Sequence, residues 1–145
     1  MKISMRTDYG ARAIIDLARR YGEGPVQSGD IADRQAIPEA YLEQLLTALR
    51  KAGFIRSVRG PHGGHELSRP PAEITFGQVV EALEGPLSPL DCLDEPSVCQ
   101  ISPTCGMREV WAEVLSGTRQ ILHGTTIEDL VRRQQAREQR VMYYI

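Results

Sequence analysis

Apolar residues recur every three or four positions in the first third of the chain, and glycine or proline interrupts each run. The run from Ala13 to Ala18 predicts a helix that ends before Gly22. Ser28 is expected to cap a short second helix. Pro38 is expected at the first position of a third helix, whose buried face runs from Leu42 to Leu49. The tight turn between the second and third helices predicts a helix-turn-helix.

A β-hairpin is predicted directly after these helices. Residues 54–58 are expected as a strand, the glycine-rich run 60–64 as a turn, and residues 65–67 as the returning strand. Helix, tight turn, helix and hairpin, in that order, predict a winged helix-turn-helix, which we assign to residues 1–84.

The second half of the chain predicts further helices. Thr75 and Gln78 are spaced as a capping box for the first of them. Ser102-Pro103 is expected to open a long helix, and Thr126 to cap a final helix over residues 127–140. The long helix has near-heptad apolar spacing, which suits a paired dimer helix and a single packed core helix equally. Its apolar positions are Val110, Trp111, Val114, Leu115, Thr118, Ile121 and Leu122.

The fold class predicted from this pattern is mainly α with a small β-hairpin wing. After the winged helix-turn-helix, residues 85–102 are assigned to a cysteine-containing loop. Residues 103–145 are assigned to the long helix and the C-terminal helix.

Length and composition limit the class of protein. A chain of 145 residues, 41% of them hydrophobic, is long enough to bury one core. No apolar run approaches the ~20 residues that span a bilayer, and the first residues lack the apolar stretch of a signal peptide. The sequence therefore predicts a cytoplasmic protein without a membrane partner, in a compartment where thiols stay reduced.

Charge is distributed unevenly along the chain. Residues 1–70 hold eleven Lys and Arg against eight Asp and Glu, whereas residues 71–145 hold six against eleven. Within residues 50–69, five basic residues accompany Glu66 as the single acidic one. A basic end on an acidic chain favours a polyanionic partner, although an ordinary solvated face has the same charge pattern.

The predicted wing and this basic region together favour binding to double-stranded DNA. The third helix would enter the major groove and present the outward side chains near its N-terminus to base edges. A glutamine pairs with adenine, and a glutamate accepts a hydrogen bond from cytosine. The candidate base-facing residues are Glu39, Ala40, Tyr41, Glu43 and Gln44.

Basic residues of the third helix and the hairpin are the candidate backbone contacts. Arg59, at the tip of the hairpin, suits an A·T-rich minor groove. Arg50, Lys51 and Arg56 are expected at phosphates, and His62 is expected to face DNA or solvent. The alternative is that these side chains are merely solvated and that the hairpin is a packing element.

All three cysteines of the chain, Cys92, Cys99 and Cys105, lie within fourteen residues. An odd number argues against a disulfide framework, so a metal site, a cluster or a redox switch is expected. No catalytic triad, carboxylate pair or phosphate-binding loop is recognisable, and an enzyme is not expected.

Several sequence segments resemble one family of bacterial regulators. They are Arg6–Gly10, Tyr41–Leu45, Leu49–Gly53, Ser57–Pro61 with the following Gly63-Gly64, and Gly124–Leu130. These segments resemble the winged-helix transcription regulators that include the iron–sulfur cluster regulator IscR and the nitric-oxide-sensing repressor NsrR. The similarity covers essentially the whole chain.

The resemblance implies a homodimer that crosses at the long helix, here about residues 103–123. Such a dimer would bind a pseudo-palindromic operator with half-sites about one helical turn (~34 Å) apart. Glu43 matches the major-groove reader of the family. Trp111 and Val114 are the expected interface anchors, with burial inside one subunit as the alternative.

The resemblance also implies that the three cysteines ligate a 2Fe–2S or 4Fe–4S cluster, which senses redox state or nitric oxide and controls DNA affinity. Six residues separate Cys92 from Cys99, one more than in the family pattern. IscR-like members have a histidine where Arg108 stands. Asp8 matches the aspartate that NsrR-like members supply from the other subunit, and it is the candidate fourth ligand. Its alternative role is a first-turn acid that complements the helix dipole.

Other functions stay open at this point. A cluster-free regulator of the same fold could sense oxidants by disulfide exchange or answer to a partner protein, and zinc could bind the three cysteines with a fourth ligand. His65 is expected at DNA or solvent like its neighbour in the hairpin. His123 suits the C-terminal end of a helix.

Overall fold

The computed structural model describes residues 2–144. Helices dominate this part of the chain, together with one antiparallel hairpin and three short 3₁₀ turns at Pro71–Glu73, Pro96–Val98 and Ser102–Thr104. The helices are α1 (Met5–Arg19), α2 (Ser28–Gln35), α3 (Glu39–Lys51), α4 (Phe76–Glu84), α5 (Asp91–Asp94), α6 (Arg108–His123) and α7 (Ile127–Tyr143), and the strands are β1 (Ile55–Val58) and β2 (Gly64–Leu67).

The predicted fold class is confirmed: the protein is mainly helical, with a winged helix-turn-helix formed by α1 to α3 and the β1–β2 hairpin. Two predicted helix starts are wrong by one residue. Ser28 is the first residue of α2 and not its cap, and Pro38 is the cap of α3 and not its first residue.

The long helix starts later than predicted. Ser102–Thr104 forms a separate 3₁₀ turn, and Cys105 has an extended backbone with φ −71° and ψ 114°. Because an extended residue interrupts the helical hydrogen bonds, α6 begins only at Arg108. Cys105 therefore belongs to the segment before α6 and not to the helix.

The core lies where α1 packs against α2, α3, α4 and α7. It contains the apolar faces that the helical spacing predicts, because side chains three or four residues apart share one face. The fully buried members include Ala13, Ile14, Ile31, Leu42, Leu45, Leu46, Leu49, Ile74, Val79 and Ile127.

A buried carboxylate joins the first two helices. Asp16 of α1 is 1% exposed, and Arg34 of α2 donates two hydrogen bonds to it, at 3.0 and 2.9 Å. Arg20 and Gln35 donate to the same carboxylate. The hydrogen bond to Asp16 raises the pKa of Arg34. Because the buried charge is paired and hydrogen-bonded, it fixes α2 on α1 without an unpaired ion in the core.

The end of α4 is joined to the start of α1. Glu84 accepts hydrogen bonds from the Thr7 and Ser4 hydroxyls, and these bonds lower the pKa of Glu84. Gly10 lies against Leu83, where a Cβ would come within 2.4 Å of a methyl group. The predicted capping box of Thr75 and Gln78 is present at the other end of α4.

The hairpin is anchored to the helical domain by backbone bonds. Val26, between α1 and α2, exchanges both backbone hydrogen bonds with His65 of β2, at 2.8 and 2.7 Å. Gly64 lies so close to Val26 that a Cβ would approach its carbonyl oxygen to 2.4 Å. At Gly63 a Cβ would meet the Val58 carbonyl oxygen at 2.0 Å. The two glycines predicted in the turn are therefore sterically required.

The C-terminal helices differ in how much of their surface is covered. On α7, Ile127 is buried, the capping box of Thr126 and Asp129 is complete, and Arg19 of α1 pairs with Glu138. On α6, Leu115 is the one buried residue. No helix within residues 2–144 is long and apolar enough to cross a membrane.

Candidate nucleic-acid interface and cysteine segment

The turn between α2 and α3 aims the start of α3 outward. Ala36 has left-handed backbone angles (φ 53°, ψ 47°), and the following Ile37 is buried, 4% exposed. This pair reverses the chain and inserts an apolar side chain beneath α3. Glu39, Glu43 and Gln44 are consequently exposed on the outer face of α3, as a DNA-reading helix requires.

Tyr41, predicted to face base edges, is less exposed than that prediction requires. It is half-buried, and its ring makes an edge contact with Tyr9 of α1 at a centroid distance of 6.0 Å. The Arg12 guanidinium lies 5.2 Å from the centre of the Tyr9 ring. Tyr41 therefore joins α3 to α1, and only its outer edge is available to a ligand.

Some of the basic residues predicted to contact DNA are bonded to other side chains, and others are simply exposed. Arg50 donates a hydrogen bond to the Ser57 hydroxyl at 3.1 Å, and Arg56 pairs with Glu66 at 2.8 Å. Arg59 and His62 are exposed at the tip of the hairpin. Lys51 is exposed at the end of α3. The tip therefore carries an exposed cation, Arg59, beyond two arginines that are bonded to Ser57 and Glu66.

The expectation that His65 faces DNA or solvent is wrong. His65 is half-buried beneath the hairpin, and burial lowers its pKa, against an opposing effect of Glu43. Its Nδ1 atom is buried and has no hydrogen-bond partner among the described residues. The backbone pairing with Val26 turns this side chain inward, so His62 is the histidine that the wing exposes.

The three cysteines occupy three consecutive short turns, which we call the cysteine segment (residues 85–107). Cys92 lies in α5, Cys99 follows the turn Pro96–Val98, and Cys105 follows the turn Ser102–Thr104. All three are free thiols and half-buried. Within residues 2–144, no three His, Cys, Asp or Glu side chains come together as a group that could hold a metal ion.

Arg108 braces the cysteine segment. Its guanidinium donates hydrogen bonds to the backbone carbonyls of Cys92 and Leu93. It also lines a crevice of about 440 Å³ together with Cys99 and Ser102. Arg108 therefore binds backbone oxygens and fixes α5 to the first turn of α6.

Asp8 lies in the first turn of α1, where Ser4 is the cap. Its carboxylate pairs with Arg12 at 2.8 Å and is about half exposed. It borders an apolar groove of about 340 Å³ that also contains Phe76 and Leu122. Asp8 and the cysteines do not form one ligand group within a single chain.

The exposed face of α6 is apolar. Val110 is 61%, Trp111 38%, Val114 40% and Ile121 69% exposed. The alternative that Trp111 and Val114 are buried within one subunit is therefore wrong. A stripe of this size on a regular helix is characteristic of a contact surface.

Comparison with known proteins identifies the family of this fold and sequence. The profile of the Rrf2 family, described as iron-dependent transcriptional regulators, matches residues 3–133. The chain is 37% identical over 145 residues to the transcriptional regulator CymR of Bacillus subtilis, with all of both chains covered. It is 40% identical to the protein rrf2 of Nitratidesulfovibrio vulgaris, over 91% of this chain and 88% of the relative. It is 37% identical to IscR of Aliivibrio salmonicida, over 90% and 77%.

Solved structures agree with the sequence relatives. The structure of CymR, described as the global cysteine regulator of B. subtilis, superposes with a TM-score of 0.78 at 38% identity and covers 92% of this chain and 98% of its own. The structure of T. potens IscR superposes with a TM-score of 0.76 at 37% identity, over 92% and 88%. CymR and IscR are named as transcriptional regulators, which agrees with the expectation that the protein is not an enzyme.

Proposed function

The chain belongs to the Rrf2 family of transcriptional regulators, and on that basis we propose that it is a homodimer whose affinity for a pseudo-palindromic operator is controlled by an iron–sulfur cluster held by Cys92, Cys99 and Cys105. One observation carries this proposal. Three half-buried free thiols lie immediately before α6, the helix whose apolar face is exposed. The segment that would bind the cluster is therefore continuous with the element that would set the spacing of two DNA-binding domains.

Sequence recognition is assigned to the exposed start of α3. Glu43 accepts a hydrogen bond from a cytosine amine, and Gln44 and Glu39 face neighbouring base edges. Arg59 enters the minor groove from the tip of the wing. Arg50 and Arg56 approach phosphates, and their bonds to Ser57 and Glu66 hold the two guanidinium groups in fixed directions before DNA arrives.

Dimerisation is assigned to the apolar face of α6. Its residues recur at near-heptad spacing and are exposed, so a second α6 would remove them from water. The cysteine segment adds exposed apolar residues, among them Val98, Ile101 and Met107. The groove beside Asp8 is a matching apolar surface, and the cysteine segment of the partner chain suits it in chemistry. This arrangement would also bring Asp8 to the cysteines of the other subunit.

The residue types suit a cluster, although the three cysteine side chains are not gathered into one ligand group. Cysteine thiolates are the usual ligands of an iron–sulfur cluster, so the three cysteines would hold it and the partner's Asp8 would be the fourth donor. The cysteines lie on three separate short turns, and Ser102 is the one buried residue among residues 85–107. Few buried contacts resist rearrangement there, so the thiols can converge when a cluster binds. A bound cluster supplies redox and nitric-oxide chemistry.

The chain's own residues convert that event into a change at DNA. Arg108 fixes α5 to α6, so a shift of the cysteine segment moves the start of α6. Asp8 pairs with Arg12, and Arg12 lies over Tyr9, which contacts Tyr41 of α3, so a new partner at Asp8 would act on a residue that is linked to α3. Control of DNA affinity is then a shift between two dimer geometries with different half-site spacing.

The DNA-reading part of the proposal is tested with single substitutions and an operator selected by the wild-type protein from a randomised DNA library. In Glu43→Ala, discrimination between the preferred base pair and the other base pairs at one operator position is expected to fall by about 1–3 kcal/mol. The sequences selected from the library then become more varied at that position. Arg59→Ala is expected to weaken all sequences about equally. Arg137→Ala, an exposed arginine of α7, is the matched control. An unchanged sequence profile in Glu43→Ala would exclude Glu43 as a reader.

The control part is tested by measuring operator affinity in two forms of the same preparation. Protein purified without oxygen and loaded with a cluster is compared with the cluster-free protein. A change in affinity of about tenfold or more supports cluster control. Cys99→Ser is expected to abolish the difference, because one thiolate ligand is lost. Equal affinity of both wild-type forms would contradict the proposal.

A cluster-free regulator controlled by thiol chemistry or by a partner protein is the second candidate. It is supported by the three separate free thiols and by the similarity to CymR, which is described as a cysteine regulator. The exposed apolar end of α7, with Val141, Met142 and Tyr143, offers a surface for a partner protein. A zinc site would require the same convergence of thiols as a cluster.

These candidates differ in a direct chemical measurement. Mass spectrometry of the cluster-free protein before and after peroxide treatment reports which thiols are oxidised. A specific disulfide between two of the cysteines, accompanied by a change in operator affinity, supports thiol control. Metal analysis that finds zinc in place of iron supports the zinc site.

A further inference from the structure

The helix α6 is held by polar contacts at both ends. It has 16 residues and is therefore about 24 Å long. At its start, Arg108 binds the backbone of α5 in the cysteine segment. At its end, His123 lies against the N-terminal turns of α4. His123 therefore lies at the C-terminal end of a helix, as predicted, and it also connects α6 to α4.

His123 makes a hydrogen bond through each of its ring nitrogens. Glu81 carries a carboxylate, which only accepts, so Nε2 of His123 donates to it, 3.2 Å away. Nδ1 lies 3.3 Å from the Thr75 hydroxyl, which also accepts from the Gln78 backbone N–H at 3.1 Å. One side chain therefore connects α6 to both the cap and the second turn of α4.

The backbone of α4 is shaped to receive the His123 ring. A Cβ at Gly77 would lie 2.6 Å from Cγ and Nδ1 of the ring, so any larger residue would displace it. Two backbone bonds reinforce the joint: Phe76 N–H donates to the Thr125 carbonyl at 2.7 Å, and Ile127 N–H donates to the Ile74 carbonyl at 2.8 Å. Backbone as well as side-chain contacts therefore join the end of α6 to the start of α4.

The opposite end of α4 reaches the start of α1. Glu84 accepts from Ser4 and Thr7, and Arg6 donates to the Leu83 carbonyl. A continuous set of side-chain contacts therefore runs from the cysteine segment through α6 and α4 to α1, which packs against the DNA-reading α3. Spatial continuity alone does not establish coupling, so the coupling must be measured.

We propose that His123 is a positioning residue that transmits displacement of the cysteine segment to the DNA-binding domain by fixing α6 to α4. The inference rests on the proposed function, since it concerns how that control reaches DNA. It assigns no ligand or DNA contact to His123. The expected signature is a loss of coupling while the fold and basal DNA binding persist.

The test compares His123→Ala with the wild type, using the selected operator and the cluster-loaded and cluster-free forms. In the wild type the two affinities differ by about tenfold or more, and in His123→Ala the ratio is expected to fall to within about twofold of one. Gln120→Ala, exposed on the same helix, is the matched control and keeps the wild-type ratio. Should His123→Ala fail to fold, Gly77→Ala, which displaces the ring and keeps its hydrogen-bonding atoms, takes its place.

A second measurement does not depend on a cluster. Amide hydrogen exchange at Phe76 and Ile127 is expected to accelerate about tenfold in His123→Ala, while the amides of α3 keep their wild-type rates. Unchanged exchange at both positions would overturn the inference, as would a wild-type affinity ratio in His123→Ala. A wild-type ratio of one would instead contradict the proposed function, and the inference with it.

Discussion

The winged helix-turn-helix and the cysteine segment differ in how much of their apolar surface is buried. In the first, apolar faces are fully buried, Asp16 is neutralised by two arginines, and the hairpin is bonded to the α1–α2 connection. In the second, Ser102 is the single buried residue, the thiols lie apart, and the following helix exposes its apolar face. A single chain completes the DNA-binding domain, whereas the second region has the composition of a surface completed by a ligand and a partner.

This difference separates stability from regulation. A densely packed domain resists change, because many buried contacts maintain it. A segment of short turns with half-buried side chains opens and rearranges at little cost. In the proposed function, the densely packed domain carries the DNA-reading surface, and the cysteines lie beside the helix that we propose orients that surface.

The largest expected effect compares one carboxylate in each region. Asp16→Ala removes the partner of Arg34 and is expected to lower the free energy of unfolding by about 3 kcal/mol, because a buried charge network loses its centre. Asp94→Ala breaks an exposed pair with Arg119 at 3.7 Å and is expected to cost less than about 0.5 kcal/mol. Urea denaturation of both variants measures the contrast. Equal losses would remove the distinction between the two regions.

The next effect concerns association. Val114→Asp places a charge on the apolar face of α6 and is expected to weaken the dimer by about 2 kcal/mol, roughly 30-fold in dissociation constant. The unfolding midpoint of the winged helix-turn-helix should be little changed, because Val114 is 40% exposed and lies outside the buried core of one chain. Gln120→Asp puts the same charge elsewhere on the helix and serves as the control. Sedimentation equilibrium reports the dissociation constant, and an unaffected dimer would place the interface outside this face.

The smallest effect is a pH dependence within the rigid domain. Burial lowers the pKa of His65 below its usual 6.5, so the unfolded chain binds a proton that the folded chain does not. Folding stability therefore decreases as pH falls through this range. Between pH 7.5 and 5.5, His65→Gln is expected to lose less stability than the wild type. His62→Gln, at the exposed tip, should keep the wild-type slope; a wild-type slope in His65→Gln would show that His65 is solvated.

Local signals were sufficient for the architecture. Periodic apolar runs with glycine stops predict α1 and α3, and the capping box at Thr75 and the cap at Thr126 locate α4 and α7. Gly63 and Gly64 mark a turn in which a Cβ has no room. Each signal depends on neighbouring residues, and this is why it can be detected in a single sequence.

Long-range contacts were not predictable in the same way. Ala36 adopts left-handed angles because the buried Ile37 fixes the turn, and alanine gives no sign of this. Three further features depend on residues that are distant in the sequence. They are the pairing of Val26 with His65, the inward direction of the His65 side chain, and the bonds from Arg108 to the α5 backbone. The near-heptad pattern of α6 could not distinguish a core helix from an exposed one, because both place apolar residues at the same spacing.

The central claim is that the cysteine segment binds an iron–sulfur cluster that alters DNA affinity. The most direct measurement is the iron and acid-labile sulfide content and the visible absorption of the full chain purified without oxygen, with Cys99→Ser prepared in parallel. We predict a coloured wild-type protein with two or four iron atoms and as much sulfide per chain, and a variant with less of both. A colourless, iron-free wild-type protein that binds its operator as tightly as the variant does would contradict the claim.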